Sequence, residues 1–216
     1  MKKKKFITVA IDSEASAGGG TQAKLISKHY NLYYLDTGKI YRYIAYLKKK
    51  NHKKFSYNFL KKKIKSLKIS KLKNKILLSE EIGLIASQIA KQIKIRKLVH
   101  KFQIRCAYSP PKNFNGSCLD GRDITTKILP KAMFKFFIFA KIKVRAKRRY
   151  LELKKFDNKI SFSEVQKSIE LRDKSDYERK HSPLKRTKEQ VLINSSKLSK
   201  KACFLKIKKI MDKKLS

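Results

Sequence analysis

Apolar residues along the chain follow two alternating patterns. Short continuous runs rich in β-branched and aromatic residues predict buried strands at 6–11, 30–35, 117–119, 133–140 and 191–193. Between them, helical spacing predicts helices at 22–29, 43–50, 55–67, 79–96 with a second helix to 107, 144–155, 161–173 and 198–213. Ser161 and Glu164 match a capping box. Such alternation predicts an α/β fold with a parallel sheet, which binds ligands beyond the carboxyl ends of its strands.

Four connecting segments complete this prediction. The segment 69–78 is expected to form a short hairpin, and 157–158 a turn. Proline-containing loops are expected at 110–116 and 181–187.

A Gly-rich segment joins the first predicted strand to the first predicted helix. The phosphate-binding pattern at such a junction is G-x-x-x-x-G-K-[ST]. Here the window reads Ser13-x-x-x-x-Gly18-Gly19-Gly20-Thr21, and Thr21 can place a hydroxyl at a Mg²⁺ ion. Ser13 replaces the first Gly and Gly19 replaces the Lys. The loop by itself fits a flexible strand–helix turn as well as a phosphate site.

Four further motifs occur in one order along the chain. Segment 35–42 reads LDTGKIYR, 86–90 reads ASQIA with Arg96 nine residues after Ser87, 120–123 reads DGRD, and 171–173 reads LRD, followed by Asp176 and Arg179. In order and spacing they resemble the bacterial cytidylate kinases, which are P-loop nucleoside monophosphate kinases. The resemblance covers about residues 6–210 and depends on the common order of the motifs, because each alone could be a surface feature.

The resemblance implies one nucleoside monophosphate kinase domain over 1–216. Its parallel-sheet P-loop core would comprise about 1–42 and 117–216, with a monophosphate-binding insert at about 43–116. A helical lid would cover about 145–182. The segment 69–78 is shorter than the matching part of the family's insert, which bears on how completely the base is enclosed.

The resemblance also implies roles for individual residues. Arg122, Arg148 and Arg149 would act on the transferring phosphate, and Ser13, Gly18, Gly19, Gly20 and Thr21 would bind the ATP phosphates. Thr37, Arg42, Ser87, Arg96, Asp123, Arg172, Asp176 and Arg179 would bind CMP. Asp123 would accept a hydrogen bond from the exocyclic amine of cytosine, since a carboxylate only accepts. Mg²⁺ would accompany ATP as the cofactor.

The expected activity is ATP-dependent phosphorylation of CMP or dCMP to CDP or dCDP. The missing Lys leaves three readings open. The enzyme is slow but active through Mg²⁺ and Arg148 or Arg149, or Lys24 or Lys39 substitutes, or catalysis is lost and nucleotide or RNA binding remains. Glu14 would add a negative charge beside the phosphates. Retained acceptor-side residues favour activity.

Composition changes this picture little. The chain holds 57 Lys and Arg against 16 Asp and Glu, a net charge of +41, which attracts polyanions. The lysines are spread along the whole chain, so a coding bias explains them better than selection for nucleic-acid binding. Cys106, Cys118 and Cys203 match no disulfide or zinc pattern. No signal peptide or membrane span is predicted. We expect a soluble, cytoplasmic monomer with ATP and CMP as its partners.

Overall fold

A sheet of five parallel strands forms the centre of the computed structural model, which describes residues 6–155 and 158–216. The strand order is β2-β3-β1-β4-β5. The strands are β1 (Ile7–Ser13), β2 (Tyr33–Asp36), β3 (Gly116–Gly121), β4 (Phe134–Phe139) and β5 (Val191–Asn194). The predicted α/β class and parallel sheet are confirmed.

Helices cover both faces of the sheet. They are α1 (Gly19–Tyr30), α2 (Thr37–Lys50), α3 (Tyr57–Lys65), α4 (Glu80–Ile89), α5 (Ile93–Tyr108), α6 (Ile142–Leu153), α7 (Phe162–Glu178) and α8 (Lys200–Leu215). One apolar core joins α2–α5 to one face, and a second joins α1 and α8 to the other. Val9, Ala10 and Ile11 of β1 are fully buried between the two cores, as expected for the central strand of a parallel sheet.

The carboxyl ends of β1, β2 and β3 meet at one edge of the sheet. Asp12 pairs in register with Gly121, and Asp36 with Asp120. The Gly-rich loop, the segment after β2 and the DGRD motif therefore converge, although more than 80 residues separate some of them in the sequence. This edge is where a parallel α/β sheet binds its ligands.

Asp12 ties the central strand to the segment after DGRD. Its carboxylate accepts hydrogen bonds from the backbone N–H groups of Ile124 at 2.7 Å and Thr125 at 3.0 Å. The Thr125 hydroxyl donates to it at 2.5 Å. Burial raises the pKa of Asp12 to about 6. These bonds position the DGRD end of β3 against β1.

The hairpin predicted at 69–78 is wrong. Two short 3₁₀ helices, Ile69–Lys73 and Lys75–Leu78, occupy the segment. Asn74 begins the second, because its side chain accepts a hydrogen bond from the Ile76 N–H at 3.1 Å. The buried side chains of Leu72 and Leu77 attach the segment to the core.

Other element bounds also differ from the prediction. The helix predicted from residue 43 begins at Thr37, because Asp36 caps it by accepting from the Lys39 N–H at 3.1 Å. The helix predicted over 79–96 ends at Ile89, and α5 carries Arg96. Ile124–Ile128 forms a π-helical turn that the sequence did not indicate. The capping box at the start of α7 is confirmed, and residue 157 of the predicted turn lies outside the described residues.

Candidate active site

A cleft of about 710 Å³ opens at the carboxyl ends of the strands. Every site residue predicted from the sequence lines it. These residues are Ser13, Gly18, Gly19, Gly20, Thr21, Thr37, Arg42, Ser87, Arg96, Arg122, Asp123, Arg148, Arg149, Arg172, Asp176 and Arg179. The fold thus brings together residues from one end of the chain to the other.

The Gly-rich loop ends in an uncapped helix N-terminus. Ser16 has φ 57° and Gly18 has φ 99°, a left-handed conformation that glycine adopts without strain. Gly18 occupies the N-cap position of α1 and supplies no side chain to its first N–H groups. Free N–H groups and the positive end of the helix dipole attract an anion here.

Helices α6 and α7 brace the other side of the loop. Asp173 of α7 accepts from the Ala15 N–H at 3.1 Å, and Arg145 of α6 donates to the Ala15 carbonyl at 3.1 Å. The two side chains also form a buried ion pair. Sequence reasoning assigned neither residue a role. Asp173 stood within the LRD motif and Arg145 within an Arg-rich helix, but their common partner in the loop was not visible from the sequence.

Glu14 is part of this support. Its carboxylate lies 3.5 Å from the Arg145 guanidinium and 3.6 Å from that of Arg186. The Tyr177 hydroxyl donates to it at 3.1 Å. The guanidinium groups of Arg145 and Arg186 therefore balance its negative charge.

Two carboxylates stand at the floor of the cleft. Asp120 is the last residue but one of β3 and Asp36 is the last residue of β2, and both line the cleft. The Asp120 Oδ1 atom is buried without a hydrogen-bond partner among the described residues, and the Tyr34 hydroxyl interacts with the same carboxylate. Burial, and next the negative charge of Asp36, raise the pKa of Asp120 to about 8. A cation bound between the Gly-rich loop and the carboxylates of Asp36 and Asp120 would stabilise the two neighbouring negative charges.

A buried ion pair marks the far end of the cleft. Arg96 and Asp123 pair closely, and each side chain is 10% exposed. Arg96 also donates to the Ala90 carbonyl at 3.0 Å and lies over the Tyr41 ring at 5.6 Å. The second oxygen of Asp123, Oδ1, has no partner among the described residues and is open to a donor from a ligand. Ser87 lines the same end.

A second group of charges connects the DGRD motif to α7. Asp176 of α7 accepts from Arg122 at 2.7 Å and from Arg179 at 3.2 Å. The Arg179 Nη2 atom is buried without a partner among the described residues. Arg172 is open to solvent within the cleft, yet protein surrounds it densely. These surroundings and the like charge of Arg122 lower the pKa of Arg172 to about 10.

Three further arginines, Arg42, Arg148 and Arg149, line the cleft. Arg42 donates to the carbonyls of Leu77 at 2.7 Å and Ser79 at 3.0 Å. Arg149 of α6 pairs with Glu80 of α4. Arg148 donates to Ser195 at 2.7 and 3.0 Å and to the Ala17 carbonyl of the loop at 3.5 Å.

The charge balance of the cleft favours an anionic ligand. Eleven Lys and Arg side chains line it against six Asp and Glu. Arg148 hydrogen-bonds only to neutral oxygens among the described residues, so its charge beside the loop is not paired within the protein. Planar guanidinium groups suit phosphate because each can bind two oxygens.

The sequence matches the cytidylate kinase family over residues 9–213. The chain belongs to the cytidylate kinase family. A cytidylate kinase of Bartonella tribocorum is 40% identical over 203 residues, which cover 93% of this chain and 92% of that protein. Those of Thermosipho melanesiensis and Clostridium tetani are 38% and 36% identical, and the matches cover 95% of this chain and 97% and 94% of those proteins.

Family membership supports a P-loop phosphotransferase that binds ATP and acts on a nucleotide. Kinases of this family generally use Mg²⁺ with ATP. Among the described residues no group of three or more His, Cys, Asp or Glu could hold a metal. Mg²⁺ in kinases is held chiefly by nucleotide phosphates and one or two carboxylates, so Asp36 and Asp120 fit it. No helix in the described parts of the chain is long and apolar enough to cross a membrane.

Proposed function

We propose that this member of the cytidylate kinase family transfers the γ-phosphoryl group of ATP to CMP or dCMP in pyrimidine nucleotide metabolism. One observation carries the proposal. The Gly-rich loop, Ser87, Asp123 and a cluster of arginines line one and the same cleft. Donor and acceptor nucleotides can therefore meet within one cavity.

The ATP phosphates would bind at the loop from Ser13 to Thr21. Its N–H groups and the α1 dipole supply fixed positive ends without reorganisation during the reaction. Arg148 adds a full charge that its bonds to Ser195 and Ala17 hold in place. This charge supports the view that an arginine offsets part of the loss of the P-loop lysine.

Asp36 and Asp120 would hold Mg²⁺ at the floor of the cleft, with Thr21 as a further candidate ligand. The ion, when bound with ATP, neutralises charge on the β- and γ-phosphates. The unpartnered Oδ1 atom of Asp120 supports this assignment.

CMP would bind with its base at Asp123 and its phosphate among the arginines. The free Asp123 oxygen would accept from the exocyclic amine of cytosine, and Arg96 holds that carboxylate in place. Arg42, Arg172 and Arg179 would bind the phosphate and sugar. The unpartnered nitrogen of Arg179 and the lowered pKa of Arg172 support an anion at this end.

The reaction is then mainly a matter of positioning. A phosphate oxygen of CMP bonds to the γ-phosphorus while the bond from that phosphorus to the β–γ bridging oxygen breaks, which gives CDP and ADP. Arg122, Arg148 and Arg149 would stabilise the charge on the moving group. The lid helices would exclude water, so that CMP accepts the phosphoryl group.

A coupled assay of ADP release tests this function. With ATP and Mg²⁺ we expect turnover that depends on CMP or dCMP, less with UMP and little with AMP. Asp123→Asn should lower kcat/KM for CMP by roughly 10- to 100-fold, because an amide can turn its N–H₂ toward the cytosine amine. The loss should be smaller for UMP, whose base presents an acceptor at that position.

Glu178→Gln is the matched control. It makes the same change of carboxylate to amide at an exposed position outside the cleft, and we expect unchanged kinetics. If neither protein shows turnover that depends on CMP, the kinase proposal fails. Nucleotide or RNA binding without catalysis then becomes the leading function.

A further inference from the structure

Ser13 and Gly19 compete for one volume at the base of the loop. A Cβ atom built on Gly19 would lie 2.3 Å from the Ser13 Oγ and 2.7 Å from the Ser13 Cβ. Both distances are far below a van der Waals contact. The conflict is local, since a Cβ on Gly18 would meet nothing within 4 Å and one on Gly20 would meet its nearest atom at 3.2 Å.

A change of side-chain rotamer cannot remove this conflict. Rotation about χ1 moves the Ser13 Oγ but leaves its Cβ where the backbone puts it. That backbone is the end of β1, held in register with Ile138 of β4, and Ser13 is 4% exposed. Gly19 is equally fixed as the first residue of α1. Either the strand or the helix would have to move to admit a side chain at position 19.

We propose that Ser13 is a positioning residue. Its side chain occupies the space that the Cβ of a residue at position 19 would need, and so excludes a lysine from that position. The general P-loop pattern has Gly at the first of these positions and Lys at the second. In this chain both positions differ from the pattern, and the Ser13 side chain fits only because position 19 carries no Cβ. The pair is therefore coupled, and the lysine cannot return while Ser13 remains. Only the kinetic consequence rests on the proposed function.

Thermal unfolding tests the coupling without any nucleotide. Gly19→Ala is made in the natural protein and in the Ser13→Ala and Ser13→Gly backgrounds. We expect Gly19→Ala to lower Tm with Ser13 and also with alanine at 13, which keeps the Cβ. With glycine at 13 it should leave Tm unchanged or raise it, because alanine is favoured over glycine in a helix. An equal change of Tm in all three backgrounds would overturn the proposal.

Gly20→Ala is the matched control. It adds the same methyl group to the next residue of the loop, where the nearest atom is the Asp120 Oδ2. Its effect on Tm should be the same with serine, alanine or glycine at position 13. If it depends on position 13 as Gly19→Ala does, the coupling belongs to the whole loop and the specific pair is refuted.

Kinetics test whether the pair also sets the position of a lysine. Gly19→Lys alone should give no gain in kcat, whereas Ser13→Gly with Gly19→Lys should exceed it by roughly 100-fold at saturating ATP. Equal gains with serine and glycine at position 13 would contradict the proposal. If no variant turns over CMP, the proposed function fails, and the Tm comparison decides the coupling by itself.

Discussion

Asp120 lies at the floor of the cleft with one buried oxygen that has no partner among the described residues. Its pKa is raised from the ordinary value of 3.8 to about 8, first by burial and then by the charge of Asp36. A carboxyl group with a raised pKa binds its proton more tightly in the folded protein. Its contribution to stability is complete below about pH 4 and is lost as the pH rises through about 8.

Asp120→Asn should remove this dependence. We expect the Tm of the natural protein, relative to that of the variant, to fall between about pH 4 and pH 8 by at least about 4 °C. Asp12 titrates in the same range but is common to both proteins, so its effect cancels. Mg²⁺ with ATP should reduce the fall in the natural protein. If the curves of Tm against pH for the natural protein and for Asp120→Asn run parallel, Asp120 is not the group responsible. Glu178→Gln, the control, should follow the curve of the natural protein.

The sequence was most informative for residues within motifs. All sixteen predicted site residues line the cleft. The parallel sheet brings those at or after the carboxyl ends of β1, β2 and β3 to one edge, and α2, α4, α5, α6 and α7 carry or directly precede the others. Arg145 and the metal-binding potential of Asp120 were missed. Their importance depends on partners distant in the sequence: Arg145 contacts Ala15, 130 residues away, and Asp120 stands beside Asp36.

At the scale of elements, the packing of α2 against α4 positions Arg42, one of the arginines that line the cleft. Arg42 of α2 passes Gly83 of α4 closely, and a Cβ on Gly83 would lie 2.7 Å from the Arg42 Nη2. The tip of an arginine is flexible and can move away, so the fold should tolerate the change. The guanidinium would, however, leave its place beside Leu77 and Ser79.

Gly83→Ala should therefore separate stability from substrate affinity. Tm should stay the same or rise, since alanine favours the helix, while KM for CMP should increase about fivefold or more with little change in KM for ATP. Leu84→Ala, at a neighbouring position that is 63% exposed, should leave both constants unchanged. A parallel rise in both KM values would mean that the substitution disturbs the whole cleft.

The elements themselves were predictable to different degrees. Strands and long helices were found because their periodicity is strong, and the Ser161–Glu164 capping box located the start of α7. The segment 69–78 was not predicted correctly, because its apolar residues follow neither the period of a strand nor that of a helix over a useful length. Packing of Leu72 and Leu77 decided between them. The division into core, insert and lid, and the monomeric state, remain predictions.

At the scale of the whole molecule, the net charge of +41 means that positive side chains repel one another, and few acids offset this repulsion. Eleven ion pairs join described residues, and Glu14 and Asp176 each take part in two of them. With 57 Lys and Arg and only 16 Asp and Glu, the chain has too few acids to pair with most of its basic side chains. Salt shortens the range of this repulsion from about 30 Å at roughly 0.01 M to about 10 Å at roughly 0.1 M.

We therefore expect Tm to rise with NaCl, because screening relieves the folded protein more than the expanded unfolded chain. Sulfate at equal ionic strength should raise it further by binding among the cleft arginines. Arg172→Gln separates the two effects: it should leave the rise with NaCl intact and reduce the extra rise with sulfate. A Tm that falls with NaCl would mean that the ion pairs outweigh the repulsion. An extra rise with sulfate that Arg172→Gln leaves unchanged would locate sulfate binding on the surface lysines rather than in the cleft.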